Sequence, residues 1–287
     1  MGPFRFRCRS YSLVVETGGT DSKADYSMQL GDADAGRLAL LGRFYDPNSA
    51  AFLESAGVSA GDSVVDLGCG HGAVTDRIAA RVGDTGVVYA VDASADQLRV
   101  ARCMLAHRRN VTFIEGAVED NPLWGKRVDW VYSRFLLMHV HDARRALLAM
   151  AAMLTEGGAL LLEIADIGSL RFIPAGSDSA LWRPWWYALG SSRGASFDIA
   201  ERIEELLDQA GFAIHRCDQY QPVSASKDAK LVHTLGFEQC VPAYLNEIGV
   251  PADQIDAHRA FLRRAVDDPA VMIALFKNTQ YIARPRA

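Results

Sequence analysis

The stretch VVDLGCGHG, residues 64–72, joins an apolar run to an acid and then to a glycine at every second position. Such a run predicts a buried strand that ends in a tight turn, because glycines let the backbone N–H groups of the turn approach a ligand closely. A helix that begins near Ala73 would point its N-terminus, which favours anions, at the same place. The stretch therefore predicts a nucleotide-type cofactor site.

A second acid supports this prediction. Asp92 lies 26 positions after Asp66 and follows the apolar run VVYAV of residues 87–91. A carboxylate at the tip of a second strand is well placed to accept hydrogen bonds from two ribose hydroxyls. Asp66 precedes the glycines, where a carboxylate can hold a positively charged group. Gly72 comes one residue earlier than the third glycine of the dinucleotide fingerprint, and a glycine-rich turn without a ligand is the alternative.

Five segments in register resemble the motifs of class I S-adenosylmethionine-dependent methyltransferases, over roughly residues 26–165. They are VVDLGCGHG (64–72), VYAVDAS (88–94), VTFIEGAVED (111–120), VDWVYSRFLLMHV (128–140) and LTEGGALLLEIAD (154–166). Five motifs in order are far more specific than one glycine loop. The later part of the chain also resembles bacterial small-molecule, natural-product methyltransferases.

The resemblance implies S-adenosylmethionine as the cofactor. The glycine turn would line its methionine part and Asp92 would hold the ribose. The family often carries an aspartate where this chain has Ala117, and Glu119, Asp120 or the local backbone are the candidates to replace it. The resemblance implies the following cofactor contacts: Tyr26, Gln29, Arg37, Asp66, Gly68, Cys69, Gly70, Asp92, Ala93, Gln97, Ala117, Val118, Ser133 and Arg134.

Strands and helices alternate from Ser63 onward, which is typical of a parallel sheet covered by helices on both faces. Together with the resemblance, this predicts an α/β fold: a Rossmann-like, seven-stranded, mostly parallel sheet with N-terminal helices and a helical lid insertion. The predicted strands are Val64–Leu67, Val87–Val91, Val111–Glu115, Val128–Ser133 and Leu160–Ala165, and the helices between them are Ala73–Val82, Ala95–Ala106 and Ala143–Leu154.

The expected organisation along the chain has four parts. Residues 1–22 are expected to be a disordered tail and residues 23–62 to form lid helices, at 34–41 and 47–56, that fold over the cofactor. The core is expected at residues 63–222 and 275–287, with an aromatic cap segment at 166–197. Residues 223–274 are expected to insert into this core as a helical lid, broken at 249–251 and at Pro269.

Composition narrows the class of partner. The net charge of −5 argues against nucleic acid as the partner, because phosphate binding needs a basic face. No apolar run reaches the ~18 residues of a membrane span, so no membrane partner is expected. Five cysteines without a C-x-x-C pair favour a reducing compartment and a cytoplasmic protein. A homodimer through the helical insertion is expected.

The candidates for chemistry lie at the tips of the fourth and fifth strands. Methyl transfer mainly needs the acceptor to be positioned and water to be excluded, and a base only where the acceptor loses a proton. His139, Glu163 and Asp166 are the predicted catalytic residues, and His141 is a further candidate base. His139 and His141 could also form a metal pair with Asp142, but no further ligand cluster accompanies them, so no metal is expected.

The aromatic run LWRPWWY, residues 181–187, supplies the predicted acceptor contacts. Its rings offer flat walls for a ring-shaped acceptor or a cage for a cation. The alternative is a core-packing helix that buries only some of the rings. The predicted contacts are Trp182, Trp185, Trp186 and Tyr187.

The sequence thus predicts an enzyme that moves a methyl group from S-adenosylmethionine to O, N or C of a small metabolite. The acceptor is expected to be aromatic or heterocyclic, for example indole-like, and to belong to specialised metabolism. An NAD-dependent oxidoreductase on a similar sheet and a non-catalytic S-adenosylmethionine-binding protein are the alternatives. Methylation of a macromolecule is the runner-up within the first class.

Overall fold

The computed structural model of the protein describes residues 35–286, except for the side chains of residues 177 and 178. Strands of the main sheet are β1 (Ser63–Leu67), β2 (Val87–Asp92), β3 (Val111–Glu115), β4 (Val128–Arg134), β5 (Leu154–Asp166), β7 (Phe212–Tyr220) and β10 (Lys277–Pro285). They pair in the order β3-β2-β1-β4-β5-β10-β7, and β10 is the strand of this sheet that runs opposite to the other six. The predicted Rossmann-like, seven-stranded α/β fold is confirmed.

The helices are α1 (Ala35–Ala56), α2 (Ala73–Val82), α3 (Ala95–Met104), α4 (Ala143–Ala152), α5 (Trp182–Ser192), α6 (Ile199–Gln209), α7 (Lys227–Asn246) and α8 (Ala252–Asp267). Ser94 and Asp142 begin α3 and α4 by accepting the backbone N–H groups of Gln97 and Arg145. Helices cover both faces of the sheet, which is why residues 158–165 of β5 are buried without interruption.

The N-terminal segment differs from the prediction. The sequence predicts two helices there, at 34–41 and 47–56, but the structure has the single helix α1 with Pro47 inside it. The prediction of a break was wrong because buried contacts flank the proline. Before the proline, the Tyr45 hydroxyl donates to the Phe276 carbonyl at 2.7 Å, and after it Arg134 Nη1 donates to Ser49 Oγ at 3.0 Å. Both halves are thereby held to one surface. The predicted tail at residues 1–22 lies outside the described residues.

The insertion contains more than the predicted helices. Its two helices, α7 and α8, are separated by residues 247–251, which include the predicted break at 249–251. Three further short strands are β6 (Arg171–Ile173), β8 (Val223–Ser224) and β9 (Met272–Ala274). They form a second sheet, in the order β6-β9-β8, which joins the segment after β5 to the end of the insertion. Segments this short carry no alternation that a sequence pattern could reveal.

The order of the strands changes direction at β1, and a ligand site is expected beside that strand. β1 lies between β2 and β4. The chain passes from β1 to β2 and β3 on one side of β1 and then crosses to β4 on its other side. In open α/β sheets ligands bind beside this change, outside the carboxyl ends of the strands. Among residues 35–286, no helix combines the length and apolarity needed to cross a bilayer.

Candidate cofactor and acceptor site

A cavity of about 1050 Å³ lies at the carboxyl ends of the parallel strands. It is lined by the loops that follow β1 to β5 and by parts of α1, α5 and α7. Pockets that hold a single small molecule measure about 300–1,000 Å³. The volume is therefore sufficient for a cofactor and an acceptor side by side.

The glycine turn forms one wall of this cavity. Gly68, Gly70 and Gly72 have φ values of 72°, 52° and 83°, a left-handed conformation that favours glycine. The N–H groups of Gly68 and Cys69 donate to the Val91 carbonyl at 2.9 Å and hold the turn against β2. A Cβ atom on Gly70 would meet no protein atom within 4 Å, so it would project into the space where a ligand fits.

Asp92, at the end of β2, connects the turn to the next helix. Its Oδ2 accepts the Gly70 N–H and its Oδ1 accepts the Ser94 N–H, each at 2.9 Å. Burial raises the pKa of the Asp92 carboxyl, while the two N–H donors act against the rise. Each carboxylate oxygen can accept further hydrogen bonds, and the residue lines the cavity. It can therefore shape the turn and bind a ligand hydroxyl at once.

Asp66 lies at the base of the cavity and is almost fully buried. The Thr75 hydroxyl donates to its Oδ2 at 2.6 Å. Burial raises the pKa of the Asp66 carboxyl to about 6, although the Thr75 hydrogen bond and the positive charge of Arg134 oppose the rise. A cationic ligand group placed beside it would favour the ionised carboxylate.

The structure brings most of the predicted cofactor residues to this cavity. Those that line it are Arg37, Asp66, Gly68, Cys69, Gly70, Asp92, Ala93, Gln97, Ala117, Val118 and Arg134. Ser133 is not among the described lining residues, because its hydroxyl donates to the Leu67 carbonyl at 3.1 Å within the sheet. Tyr26 and Gln29 lie outside the described residues.

Arg134 ties the tip of β4 to α1. Its Nη1 donates to Asp46 Oδ1 at 2.9 Å and to Ser49 Oγ at 3.0 Å. Its guanidinium also lies 5.7 Å from the Phe135 ring centroid. These contacts fix the guanidinium between the sheet and α1, so its main visible role is to hold α1 over the cavity.

The four predicted acceptor contacts separate along α5. Trp182 and Trp186 are four residues apart, share one face of the helix and line the cavity. Trp185 instead packs on Phe237 and Tyr244 of α7, with ring centroids 6.4 and 5.9 Å away. Trp185 and Tyr187 are not among the described residues that line the cavity.

His139 lies on the loop after β4 and lines the cavity. Burial, together with the nearby charge of Arg37, lowers the pKa of the His139 imidazole to about 3. Its ring meets Phe197 edge-on at 5.8 Å between centroids. The side chain is therefore a neutral hydrogen-bonding group at physiological pH and a weak base.

The structure does not bring the other two predicted catalytic residues to the cavity. Glu163 lies two residues before the lining residue Ala165 on β5, which places it roughly 6–7 Å below the sheet edge. Asp166 follows Ala165 and therefore points to the opposite face of the strand. There it pairs with Lys277, whose Nζ lies 3.2 Å from Asp166 Oδ2.

The two ends of the cavity differ in charge. The loops after β1, β2 and β3 supply a cofactor wall that carries six carboxylates, and the loop after β4 adds Asp142. The six are those of Asp66, Asp92, Asp96, Glu115, Glu119 and Asp120. The opposite side, the acceptor wall, contains no carboxylate among its described lining residues. The acceptor wall consists of Arg37, Leu38, Leu41, Ala165, Ile167, Trp182, Trp186, Val232, His233, Gly236 and Phe276.

Several lining residues escaped the sequence-based prediction. Phe135 and Met138 belong to the quoted fourth-strand motif, but nothing in that motif distinguishes lining residues from core residues. The left-handed φ of 58° at Phe135 is visible only in the structure. His233 and Phe276 lie far along the chain from the motifs, so no local pattern could assign them to this cavity.

Comparison with known proteins identifies the family. The model of a methyltransferase domain family matches residues 64–158. The ubiquinone/menaquinone biosynthesis C-methyltransferase UbiE of Marinomonas sp. is 30% identical over 180 residues, which cover 56% of this chain and 70% of that protein. The chain belongs to the class I S-adenosylmethionine-dependent methyltransferases. The methyltransferase is therefore an enzyme that uses S-adenosylmethionine and acts on a small molecule, and the two alternative classes are set aside.

Other relatives match over a shorter range. The protein of the same name from Hahella chejuensis is 34% identical over 113 residues, which are 38% of this chain and 45% of that protein. The methyltransferase thus spans less than half the length of that relative. A provisionally named methyltransferase of Bacillus halodurans C-125 superposes with a TM-score of 0.58 at 18% identity, covering 84% of this chain and all of the other. This last similarity concerns the fold.

The residues of the cofactor wall fit S-adenosylmethionine. Its positive charge suits the carboxylates there, and its ribose hydroxyls suit the free lone pairs of Asp92. The open space beside Gly70 leaves the backbone accessible. Within residues 35–286, no group of three or more His, Cys, Asp or Glu side chains is arranged to hold a metal ion.

The raised pKa of Asp66 predicts that cofactor affinity depends on pH. Below about pH 6 the carboxyl becomes neutral and loses its attraction for the cationic cofactor. Binding of S-adenosylmethionine should therefore weaken as the pH falls through 6, by up to about tenfold per pH unit. Calorimetric titration between pH 5 and 8 measures this, with circular dichroism to verify folding. In Asp66→Asn the slope should flatten, and an unchanged affinity across this range in the wild type would contradict the assignment.

Proposed function

We propose that the methyltransferase transfers a methyl group to oxygen or carbon of a small, apolar, aromatic molecule that is neutral or anionic. The acceptor wall carries this proposal. It is built from apolar and aromatic side chains, including Trp182, Trp186 and Phe276, and its described part contains no carboxylate. A flat hydrophobic ring gains from burial against such a wall.

The charge of the acceptor wall argues against a cationic amine as acceptor. Aromatic rings alone can attract a cation. Here, however, a cation that leaves water would need a carboxylate to balance its charge, and the described part of the acceptor wall offers none. The indole rings of Trp182 and Trp186 are therefore better suited to stack on a neutral or anionic ring.

The available side chains also limit the chemistry that the protein performs on the acceptor. When bound, S-adenosylmethionine supplies an activated methyl group on its sulfonium sulfur. His139 is neutral and a weak base, since its pKa is lowered to about 3. An acceptor whose own hydroxyl ionises readily, or whose ring carbon is electron-rich, needs no stronger base. The cavity then acts mainly by orienting the acceptor and excluding water.

The same proposal assigns a role to each wall of the cavity and to the segments that cover it. The predicted lining residues of the cofactor wall would hold S-adenosylmethionine, with Asp92 at the ribose and the glycine turn at the methionine part. The aromatic segment at 166–197 and the insertion at 223–274 would cover the acceptor. The aromatic wall supports the expectation of a natural-product acceptor in specialised metabolism.

Methylation of a quinol ring carbon is a second candidate. The relatives matched in sequence are named for ubiquinone and menaquinone biosynthesis. A quinol is aromatic, uncharged and electron-rich at its ring carbons, and it would suit the acceptor wall equally well. The O-methylated and C-methylated products of one quinol have equal mass, but their fragmentation patterns in mass spectrometry differ. A single assay therefore covers both candidates.

The test is a transfer assay with S-adenosylmethionine that carries a deuterated methyl group. The panel contains phenols, indoles, menadiol and the matched pair 2-naphthol and 2-naphthylmethylamine, and mass spectrometry detects the labelled methyl. The neutral or anionic ring compounds should be methylated, and 2-naphthylmethylamine should react at least about tenfold more slowly than 2-naphthol. Faster methylation of the amine, or no transfer to any aromatic compound, would contradict the proposal.

A further inference from the structure

The insertion contributes one polar side chain to the cavity. Among its described residues, those that line the cavity are Val232, His233 and Gly236 of α7. Val232 and Gly236 can offer only apolar surface or backbone that the helix already hydrogen-bonds. His233 is therefore the side chain through which this lid can make a directional contact with an acceptor.

A second histidine is placed directly behind His233. The Nε2 atoms of His233 on α7 and His258 on α8 lie 3.4 Å apart, and both side chains are buried. Two neutral imidazoles can approach in this way only if one Nε2 carries the proton and the other accepts it. Because Nε2 of His233 is engaged by His258, Nδ1 is the remaining hydrogen-bonding atom of the His233 ring.

Aromatic rings fix the orientation of this pair. The Trp182 ring meets His233 edge-on with centroids 4.7 Å apart, and Phe172 does so at 5.7 Å. On the other side, Phe237 and Phe261 contact His258 at 4.8 and 5.9 Å. Burial lowers the pKa of His233 well below its usual value, so the ring remains neutral. It is suited to hydrogen bonding and not to carrying charge or removing a proton.

The contact with Trp182 places the His233 ring at the acceptor wall of the cavity. Trp182 lines the acceptor wall, and the Trp182 and Trp186 rings meet edge-on at 6.2 Å. An aromatic acceptor that stacks on these indoles would bring a ring substituent near His233. A hydrogen bond to that substituent would be made in an apolar setting, where it discriminates strongly between polar and apolar groups.

We propose that His233 is a specificity residue that hydrogen-bonds an oxygen substituent of the aromatic acceptor through Nδ1, and that His258 is a positioning residue that selects the tautomer of His233. The inference rests on the proposed function, because it assumes that the acceptor occupies the aromatic wall. It adds the chemical class of the acceptor, a hydroxylated or carbonyl-bearing ring. If Nε2 of His233 accepts the shared proton, Nδ1 donates to the oxygen, and in the other tautomer Nδ1 accepts from a hydroxyl.

The test compares 2-naphthol with naphthalene, which has the same ring system without the oxygen. Equilibrium dialysis measures both dissociation constants in protein saturated with S-adenosylhomocysteine. The variant His233→Phe keeps an aromatic ring but removes Nδ1. This variant should weaken the binding of 2-naphthol by about tenfold relative to the binding of naphthalene, because one buried hydrogen bond is lost. His233→Gln should restore part of the preference.

His258→Phe tests the positioning role. It keeps an aromatic ring at this position and removes the partner of His233 Nε2, so the preference for 2-naphthol should fall by about threefold while cofactor affinity is unchanged. The ¹⁵N chemical shifts of the His233 imidazole should report a single neutral tautomer in the wild type and a mixture in this variant. This spectroscopic readout needs no variant at His233 and therefore holds if that variant folds poorly.

The outcomes separate the two proposals. An unchanged preference for 2-naphthol in His233→Phe, with cofactor affinity intact, overturns the role of His233 and leaves the aromatic acceptor standing. Failure of both ring compounds to bind the wild type overturns the aromatic acceptor and the role of His233 with it. Loss of the preference in His233→Phe, with naphthalene still bound, supports both.

Discussion

Replacing Asp92 with alanine is expected to lower the affinity for S-adenosylmethionine by about 100-fold or more. The carboxylate accepts the N–H groups of Gly70 and Ser94 and lines the cavity. Its loss therefore removes the proposed acceptor of the ribose hydroxyls and also releases the turn that forms the cofactor wall. Calorimetric titration with S-adenosylmethionine measures the change directly.

The matched control for this substitution is Asp84→Ala. Asp84 is exposed and lies just before β2, whereas Asp92 is the last residue of the same strand. Removing it changes net charge equally but should leave cofactor affinity within about twofold, because a surface substitution away from the site has little effect. If Asp92→Ala bound the cofactor as tightly as Asp84→Ala, the assignment of the cofactor wall would be lost.

The cofactor half of the site is predictable because its information is local. The apolar run at residues 64–67, the glycines after it and Asp92 at the end of the next strand all follow from short-range rules. Parallel strands bring their carboxyl ends to one edge whatever the rest of the chain does. The sequence therefore places the turn and both carboxylates together without knowledge of distant contacts.

The acceptor half depends on contacts between distant segments. Trp185 and Trp186 are adjacent in sequence, yet only Trp186 lines the cavity, because α7 and α8 cover the other face of α5. His233 reaches the cavity only through the packing of the insertion against Trp182. No periodicity within the insertion distinguishes it from the other buried positions of α7. Residues of this kind can be assigned to the cavity only when the tertiary structure is known.

Glu163 illustrates the same limit within a motif. A single acid in an apolar strand predicts either function or a buried partner. The partners are found in the structure more than 100 residues later, on β10: Asn278 Nδ2 and Gln280 Nε2 donate to Glu163 Oε2, the latter at 3.1 Å. The Tyr132 hydroxyl donates to Oε1 at 2.5 Å. The carboxylate is thus enclosed by donors that join β4, β5 and β10.

The second large effect is therefore expected in stability. Replacing Glu163 with alanine leaves Tyr132, Asn278 and Gln280 without their buried acceptor and removes a negative charge near Arg134. The free energy of unfolding should fall by about 3–5 kcal/mol, the range found when one member of a buried charged network is removed. In a domain of this size the midpoint of thermal unfolding should fall by roughly 10 °C. Denaturant and thermal unfolding followed by circular dichroism measure both quantities.

Kinetics then distinguish a structural carboxylate from a catalytic base. Removing a general base typically lowers kcat by about 10²–10⁴-fold. Because Glu163 lies below the sheet edge and outside the cavity lining, kcat per folded molecule of Glu163→Ala at low temperature should stay within about threefold of the wild type. Glu156→Ala, an exposed acid on the same strand, should change stability by no more than about 0.5 kcal/mol. A hundredfold loss of kcat in a stably folded Glu163→Ala protein would instead show that this carboxylate takes part in the reaction. The loss of a purely structural carboxylate lowers stability but does not lower kcat per folded molecule to that extent.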